Sequence, residues 1–63
     1  MGGTAVHFSM VKADKKEIGR AFHEIQTRPG TMLFAVRRKT GKLLFYQDDL
    51  EIEDGDMLII AKE

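Results

Sequence analysis

Acidic side chains form the densest group of potential ligands in this sequence. Hard cations such as Ca²⁺ require several carboxylate or carbonyl oxygens. The spacing does not fit a helix-loop-helix calcium site, because counting from Asp49 the sixth position is Asp54 instead of glycine and the twelfth is Ile60. Leu50 and Ile52 also alternate with the acids, as they would along an exposed strand edge. We therefore predict a solvated acidic edge and no metal site, formed by Asp48, Asp49, Glu51, Glu53, Asp54 and Asp56.

The groups needed for catalysis are sparse. His7 and His23 have no neighbouring cysteine and no acid at ligand spacing, and Ser9, the only serine, has no plausible histidine and aspartate partners. The six glycines do not form a phosphate-binding loop. We predict that the chain is not an enzyme, has no catalytic residue and uses no cofactor.

Basic residues cluster where Arg37, Arg38, Lys39 and Lys42 follow one another. Such a cluster can contact anionic lipid or nucleic acid, but no aromatic residue is interleaved for base stacking. Net charge is zero, with nine Lys or Arg against three acids in residues 1–42 and one against seven in residues 43–63. This split favours pairing between opposite patches, within one chain or between two. We predict a solvated turn and no nucleic-acid partner.

The length of 63 residues fits a single domain of marginal stability. The absence of cysteine removes disulfides and leaves self-association as the expected help. The longest fully apolar stretch, Met57 to Ala61, is too short to span a bilayer, and the N-terminus lacks the pattern of a signal peptide. We predict a flexible start or expression remnant at residues 1–4 and a domain over residues 5–63.

Hydrophobic periodicity predicts the elements of this domain. Alternation from Val6 to Val11 indicates a strand, and the spacing of Ile18, Ala21, Phe22 and Ile25 indicates a helix over residues 14–28. Asp14 can cap that helix, with Glu17 reaching back to it.

The rest of the chain is rich in strand and turn signals. Residues 31–46 predict a hairpin, and Gly55 with Asp56 predicts a turn in which Gly55 has a positive φ angle and Asp56 bonds the turn's own amides. A final strand follows the turn. The expected fold class is α+β, a mostly antiparallel sheet of about four strands with one helix packed on one face (β-α-β-β-β).

Four segments in this order resemble the TrkA C-terminal (RCK C-terminal) domain family: IGRAFHEI, TMLFAVRR, TGKLLFY and LEIEDGDMLII. The resemblance covers about Val6 to Ala61. It implies a cytoplasmic regulatory and dimerisation module of a potassium channel or potassium-uptake transporter, which senses a ligand or couples conformational change to gating. The same type of domain on an anion transporter, antiporter or transcriptional regulator is an alternative. A ubiquitin-like β-grasp carrier is another, although this chain ends in Ala-Lys-Glu and not in Gly-Gly.

The resemblance also implies a ligand site, because some members bind a cyclic dinucleotide between two such domains. Arg28 matches the motif's arginine, whereas Gln26 stands in place of its aspartate and Thr31 in place of its asparagine. Arg28 and Thr31 are therefore the predicted ligand-binding residues, with a nucleotide or cyclic dinucleotide as the possible ligand. The alternative role of Arg28 is a cation at a helix end.

A sheet covered by one helix leaves its other face bare. Leu33, Ala35, Leu44 and Tyr46 share a parity that fits this second face. An apolar patch of that size on a small monomer is typical of an association surface. We predict a homodimer that buries it. The alternative is that the face is covered by another part of a parent channel or transporter.

Overall fold

One four-stranded antiparallel sheet organises the molecule. The computed structural model describes residues 5–63, so the predicted flexible start at residues 1–4 lies outside it. The sheet order is β1-β4-β2-β3, and each neighbouring pair is antiparallel. The predicted antiparallel sheet, with its hairpin and its final strand, is confirmed. The strands are β1 (His7–Lys12), β2 (Thr31–Arg37), β3 (Leu43–Phe45) and β4 (Met57–Lys62).

The register divides the strands between two faces. In β4, Leu58 and Ile60 lie opposite Val36 and Leu33 of β2 and share one face with them, the core face. The alternate residues of β4 point to the opposite side, which we call the apolar face. The centre of the core consists of buried side chains from the core face and from the segments that cross it: Ala13, Phe22, Leu33, Val36, Ile52 and Leu58.

The predicted helix over residues 14–28 is wrong. This segment contains only a turn and a short 3₁₀ helix, Phe22–Glu24. The predicted capping box does form, since the Asp14 carboxylate accepts the amide of Glu17 at 3.1 Å and the Glu17 carboxylate accepts that of Asp14 at 3.0 Å. It closes a single turn, and the sheet is therefore covered by irregular chain in place of a helix.

Two features explain why the predicted helix does not form: the backbone conformation of Gly19, and the hydrogen bonds that the following residues make with residues 50–52. Gly19 has a φ angle of 88°, which is left-handed and turns the chain out of helical geometry. The chain then runs extended beside residues 50–52. The amide of Phe22 donates to the Leu50 carbonyl at 2.9 Å, and the amide of Ile52 donates to the Arg20 carbonyl at 2.8 Å. Ile18 and Ile25 pack against the core, so the apolar spacing marks the inward side chains correctly although the element differs.

A β-bulge in β2 breaks the alternation that grouped the predicted interface residues. The register with β4 shifts between Leu33 and Ala35. Leu33 lies opposite Ile60 on the core face, whereas Ala35 lies opposite Ile59 on the apolar face. One extra residue in a strand has this effect because two residues then oppose one on the partner strand. Parity counted along the sequence therefore assigns Leu33 and Ala35 to one face when they belong to two.

We expect Phe22 to be the most costly side chain to truncate. It is 1% exposed, and it joins the irregular segment to the sheet. Phe22→Ala should lose about 3–5 kcal/mol, which is comparable to the whole stability of a domain of this size, and no cooperative urea transition should remain at 25 °C. Phe22→Leu should keep a weakened transition. Val11→Ala, at an exposed position, should shift the free energy of unfolding by no more than about 0.5 kcal/mol. A normal transition for Phe22→Ala would contradict this packing.

Candidate functional site

The apolar face exposes six large hydrophobic side chains on one side of the sheet. Their exposed fractions range from 38% for Phe34 to 59% for Phe45. The strand residues of this face include two charges, Lys12 and Arg37, both opposite Met57 at the same end of the sheet. A contiguous surface of this kind is unusual on a monomer and typical of an interface. The six side chains are Phe8, Met10, Met32, Phe34, Leu43 and Phe45.

Three phenylalanines cross this face from one edge of the sheet to the other. The ring of Phe34 lies 5.1 Å from that of Phe8 and 5.8 Å from that of Phe45, both in edge-on geometry. Ala35 and Ala61 lie on the same face and are buried between their larger neighbours. These small residues leave room for the row of aromatic rings, and they fill the space between the larger side chains.

The four residues predicted as a dimer interface do not lie together. Ala35 is on the apolar face but fully buried, and Leu33 is buried in the core. Leu44 is opposite Val36 on the core face and is half-buried. Tyr46, just beyond β3, packs its ring 5.6 Å from that of Phe22. The exposed residues of the apolar face are therefore a different set from the four that were predicted.

Composition gives the signal that could have found this set. Three of the four phenylalanines lie on the apolar face, and Met10, Met32 and Met57 lie there as well. Methionine adapts its shape to irregular partners and is common on binding surfaces. Because alternation alone cannot tell which of two apolar faces is covered, the concentration of methionine is the more informative feature.

An open groove of about 580 Å³ lies on the core-face side of the sheet. Its apolar floor includes Leu58 and Ile60 of β4, and the loop over residues 25–29 forms one wall. Arg28 and Lys62 bring positive charge to this groove, and Glu17 brings one carboxylate. The other lining side chains are Ser9, Val11, Ile25, Gln26, Thr27, Pro29 and Thr31.

Both residues predicted from the resemblance to bind a ligand line this groove. Arg28 begins a turn in which the Thr31 amide donates to the Arg28 carbonyl at 3.0 Å, and the Thr31 hydroxyl donates to the same carbonyl. Pro29 and Gly30 occupy the middle of the turn, and Gly30 has a φ angle of 81°. Within residues 5–63 the Arg28 guanidinium makes no ion pair, and its side chain is exposed. Lys62 was not predicted; it faces Thr31 across β2 and β4, a pairing that sequence spacing does not reveal.

The Gly55–Asp56 turn is anchored by a buried ion pair. Gly55 has φ of 86°, and the Asp56 carboxylate accepts the Glu53 amide at 2.7 Å. Arg38, which follows β2, donates to the same Asp56 oxygen at 2.8 Å and to the Glu51 carbonyl at 3.1 Å. Asp56 is fully buried, and only 11% of the Arg38 side chain is exposed. The pair ties the end of β2 to the start of β4.

The remaining polar residues occupy separate places. Among residues 5–63, no three His, Asp or Glu side chains converge as metal ligands would. His23 lies on the 3₁₀ helix with its Nδ1 2.9 Å from the Asp48 carbonyl. This hydrogen bond is the main reason why the pKa of His23 lies above its ordinary value. Desolvation opposes the rise, and the nearby carboxylates of Glu24, Asp49 and Asp48 add to it.

Comparison with the models of known protein families finds no match, and comparison with curated proteins finds none either. In the part of the chain that the structure describes, none of the helices has the length and apolar character needed to cross a membrane.

We predict that Arg38 is essential to the fold. Arg38→Met should lower the free energy of unfolding by about 3 kcal/mol, because it leaves the Asp56 carboxylate buried without its cation. The control Lys42→Met, at an exposed position in the same turn region, should change it by no more than about 0.5 kcal/mol. In the double variant Arg38→Met, Asp56→Leu the loss should be smaller than the sum of the two single losses. Equal losses for Arg38→Met and Lys42→Met, measured by urea denaturation, would disprove the role.

Proposed function

We propose that this domain is a non-catalytic regulatory module that pairs with a second copy through its apolar face and binds an anionic ligand in the groove. The observation that carries the proposal is the exposed apolar face. The six side chains hold on the order of 600 Å² of exposed area, by comparison with the ~150–250 Å² that a buried aromatic residue contributes. This reaches the lower end of a standard interface, which buries about 600–1,000 Å² on each partner.

Charge favours a second copy as the occupant of the apolar face. Its two cations, Lys12 and Arg37, lie at one end of the sheet. If two copies stack with their strands antiparallel, the basic end of one lies away from the basic end of the other. A two-fold axis then places the same surface on both sides of the interface, which is the commonest arrangement in homo-oligomers. A partner of different sequence remains the other occupant that the experiment below distinguishes.

The groove supports the ligand-binding part of the proposal. Its apolar floor suits a flat or hydrophobic body, and Arg28 offers a planar fork of donors that suits a phosphate or carboxylate. Lys62 adds a second charge from the sheet. A nucleotide or cyclic dinucleotide combines such a body with such an anion. Regulation would follow if the ligand binds one arrangement of the pair better than another.

The parent protein is assigned from the resemblance to TrkA C-terminal domains. On this basis the module belongs to a potassium channel or potassium-uptake transporter and acts on its cytoplasmic side. The same module on an anion transporter, antiporter or transcriptional regulator would use the same two surfaces. Two of the motifs that carry the resemblance are the arginine after β2 and the Gly-Asp turn. They meet in the Arg38–Asp56 contact, so a single buried ion pair accounts for both motifs.

Self-association tests the apolar face. We expect the wild-type chain to sediment as a dimer or larger species at tens of micromolar. Phe45→Lys, which places a charge at the most exposed side chain of the face, should raise the dissociation constant at least tenfold. Gln47→Lys adds the same charge at an exposed residue outside the strands, in the connection between β3 and β4, and should leave the constant nearly unchanged.

Two results would contradict this pairing. One is a wild-type monomer at tens of micromolar, which would leave the face to a different polypeptide. The other is an equal effect of Phe45→Lys and Gln47→Lys, which would show that association does not use the apolar face.

Thermal stability tests the groove. ATP, a cyclic dinucleotide and divalent cations should be screened, and an anionic ligand at about 100 times its Kd should add about 2.7 kcal/mol. For a domain of this size that corresponds to a rise in Tm of roughly 10 °C or more. Arg28→Gln should reduce the shift, whereas Arg20→Gln, outside the groove, should retain it. If no compound changes Tm, the groove does not bind such ligands and the module acts only through association.

A further inference from the structure

Among residues 5–63, nothing pairs with the outer edge of strand β1. This strand pairs with β4 on one side, and all six of its residues are exposed. The other edge strand, β3, has only three residues. A long edge with free backbone groups pairs with another chain unless proline, charge or a bulge prevents it. β1 contains no proline, and its one Lys is at the end of the strand.

One hydrogen bond shows which backbone groups of β1 point outward. The Ala13 amide donates to the Asp56 carbonyl at 2.9 Å, and these two residues continue the register of β1 with β4. In an antiparallel ladder, residues that exchange backbone bonds alternate with residues that do not. His7, Ser9 and Val11 therefore direct their backbone groups toward β4. The outward groups belong to the alternate residues, which are Val6, Phe8, Met10 and Lys12.

We propose that β1 pairs antiparallel with β1 of a second copy about a two-fold axis at Ser9, so that Phe8 lies opposite Met10 of the second copy. This register keeps each face continuous across the joint, because residues of the same parity oppose each other. Val6 then lies opposite Lys12, and four mutually bonded pairs form. Moving the axis to Phe8 or Met10 leaves three such pairs among Val6–Lys12.

The side chains of β1 fit this register. On the apolar face, the two-fold axis generates two equivalent contacts between Phe8 of one copy and Met10 of the other. Aromatic rings pack well against methionine sulfur. On the other face, the two Ser9 hydroxyls meet at the axis and can hydrogen-bond. Lys12 faces Val6, so like charges are not opposed. A strand whose sequence complements itself in this way points to a second copy as its partner.

The edge contact is distinct from the stacking proposed for the apolar face. It uses backbone groups in the plane of the sheet and produces one eight-stranded sheet from two copies. The groove is lined by Ser9 and Val11, so this pairing also brings the grooves of the two copies to either side of the axis. Used together, the edge and the face would link more than two copies, with the sheets stacked in two layers.

Cysteine crosslinking tests the register, since the chain has no cysteine of its own. Across the joint the two Ser9 residues form a non-bonded pair with Cα atoms about 4.5 Å apart, within the range of a disulfide. We expect Ser9→Cys to form a crosslinked dimer under mild oxidation at least tenfold faster than Val11→Cys. Cys at position 11 faces His7, and the same position of the second copy is roughly 13 Å further along the strand.

Stacking of the apolar face cannot produce this crosslink, because Ser9 lies on the opposite side of the sheet. If Ser9→Cys crosslinks no faster than Val11→Cys, the edge pairing is overturned, whatever Phe45→Lys does to association. If it crosslinks and Phe45→Lys has no effect on association, the edge stands and the stacked pair fails.

A backbone change provides an independent measurement. N-methylation of Met10, introduced by chemical synthesis into the Ser9→Cys chain, removes an outward donor from each copy and leaves the bonds to β4 intact. The far-ultraviolet spectrum should remain that of the unmodified sheet, and the crosslinking rate should fall about tenfold, as expected for the loss of two hydrogen bonds. An unchanged rate would show that the outward amide is not used.

Discussion

A sheet has two faces, and the described residues of this chain cover only one of them. The two longest connections, residues 13–30 and 46–56, both return across the core face, where they supply Phe22 and Ile52. A stable domain needs at least two packed layers. Here the second layer is irregular chain, and none of the described residues outside the strands is left to cover the apolar face. The proposal of a partner therefore rests on this arrangement more than on any single side chain.

The Arg38–Asp56 pair shows how the uneven charge distribution of the sequence is used. The basic half of the chain contributes the arginine and the acidic half contributes the carboxylate, and the two meet beside the central strands. A buried ion pair adds little net stability over an apolar pair of similar volume. Removing only one of its two partners, however, lowers the free energy of unfolding strongly, because the other charge stays buried without a partner. It also holds the Glu53–Asp56 turn in place, so that β4 enters the sheet with Leu58 on the core face. The pair therefore helps to set the register of β4, and the loss of either partner would destabilise the fold.

The strands could be predicted from the sequence because each carries its own signal: alternation in β1, a turn with glycine between β2 and β3, and an apolar run in β4. The segment over residues 14–28 could not. Its apolar spacing satisfies a helix, but the left-handed Gly19 interrupts it, and the residues around Gly19 form backbone hydrogen bonds to residues 50–52 instead. A helix of this length is only marginally stable by itself, so these contacts with distant chain can replace it. Parity in β2 fails for a similar reason, because a bulge is a property of the pair of strands and not of β2 alone. Two lining residues of the groove, Arg28 and Thr31, are close in sequence and could be named as ligand-binding candidates, whereas Lys62 and Ser9 reach the groove only through strand pairing.

The two proposed surfaces are separated by the thickness of a single sheet, and this suggests how they would communicate. Alternate residues of β4 serve them both: Leu58 and Ile60 line the groove, and Ile59 lies on the apolar face opposite Met10 and Ala35. β1 contributes in the same manner through Ser9 and Phe8, and among the described strands of its own copy it pairs only with β4. A ligand that shifts β1 relative to β4 would therefore alter the aromatic face without any longer path through the protein. By linkage, a partner on that face would change the affinity of the groove by the same factor. If the proposed ligand distinguishes between positions of β1 and the proposed partner binds the apolar face, the thin sheet would couple the two reciprocally.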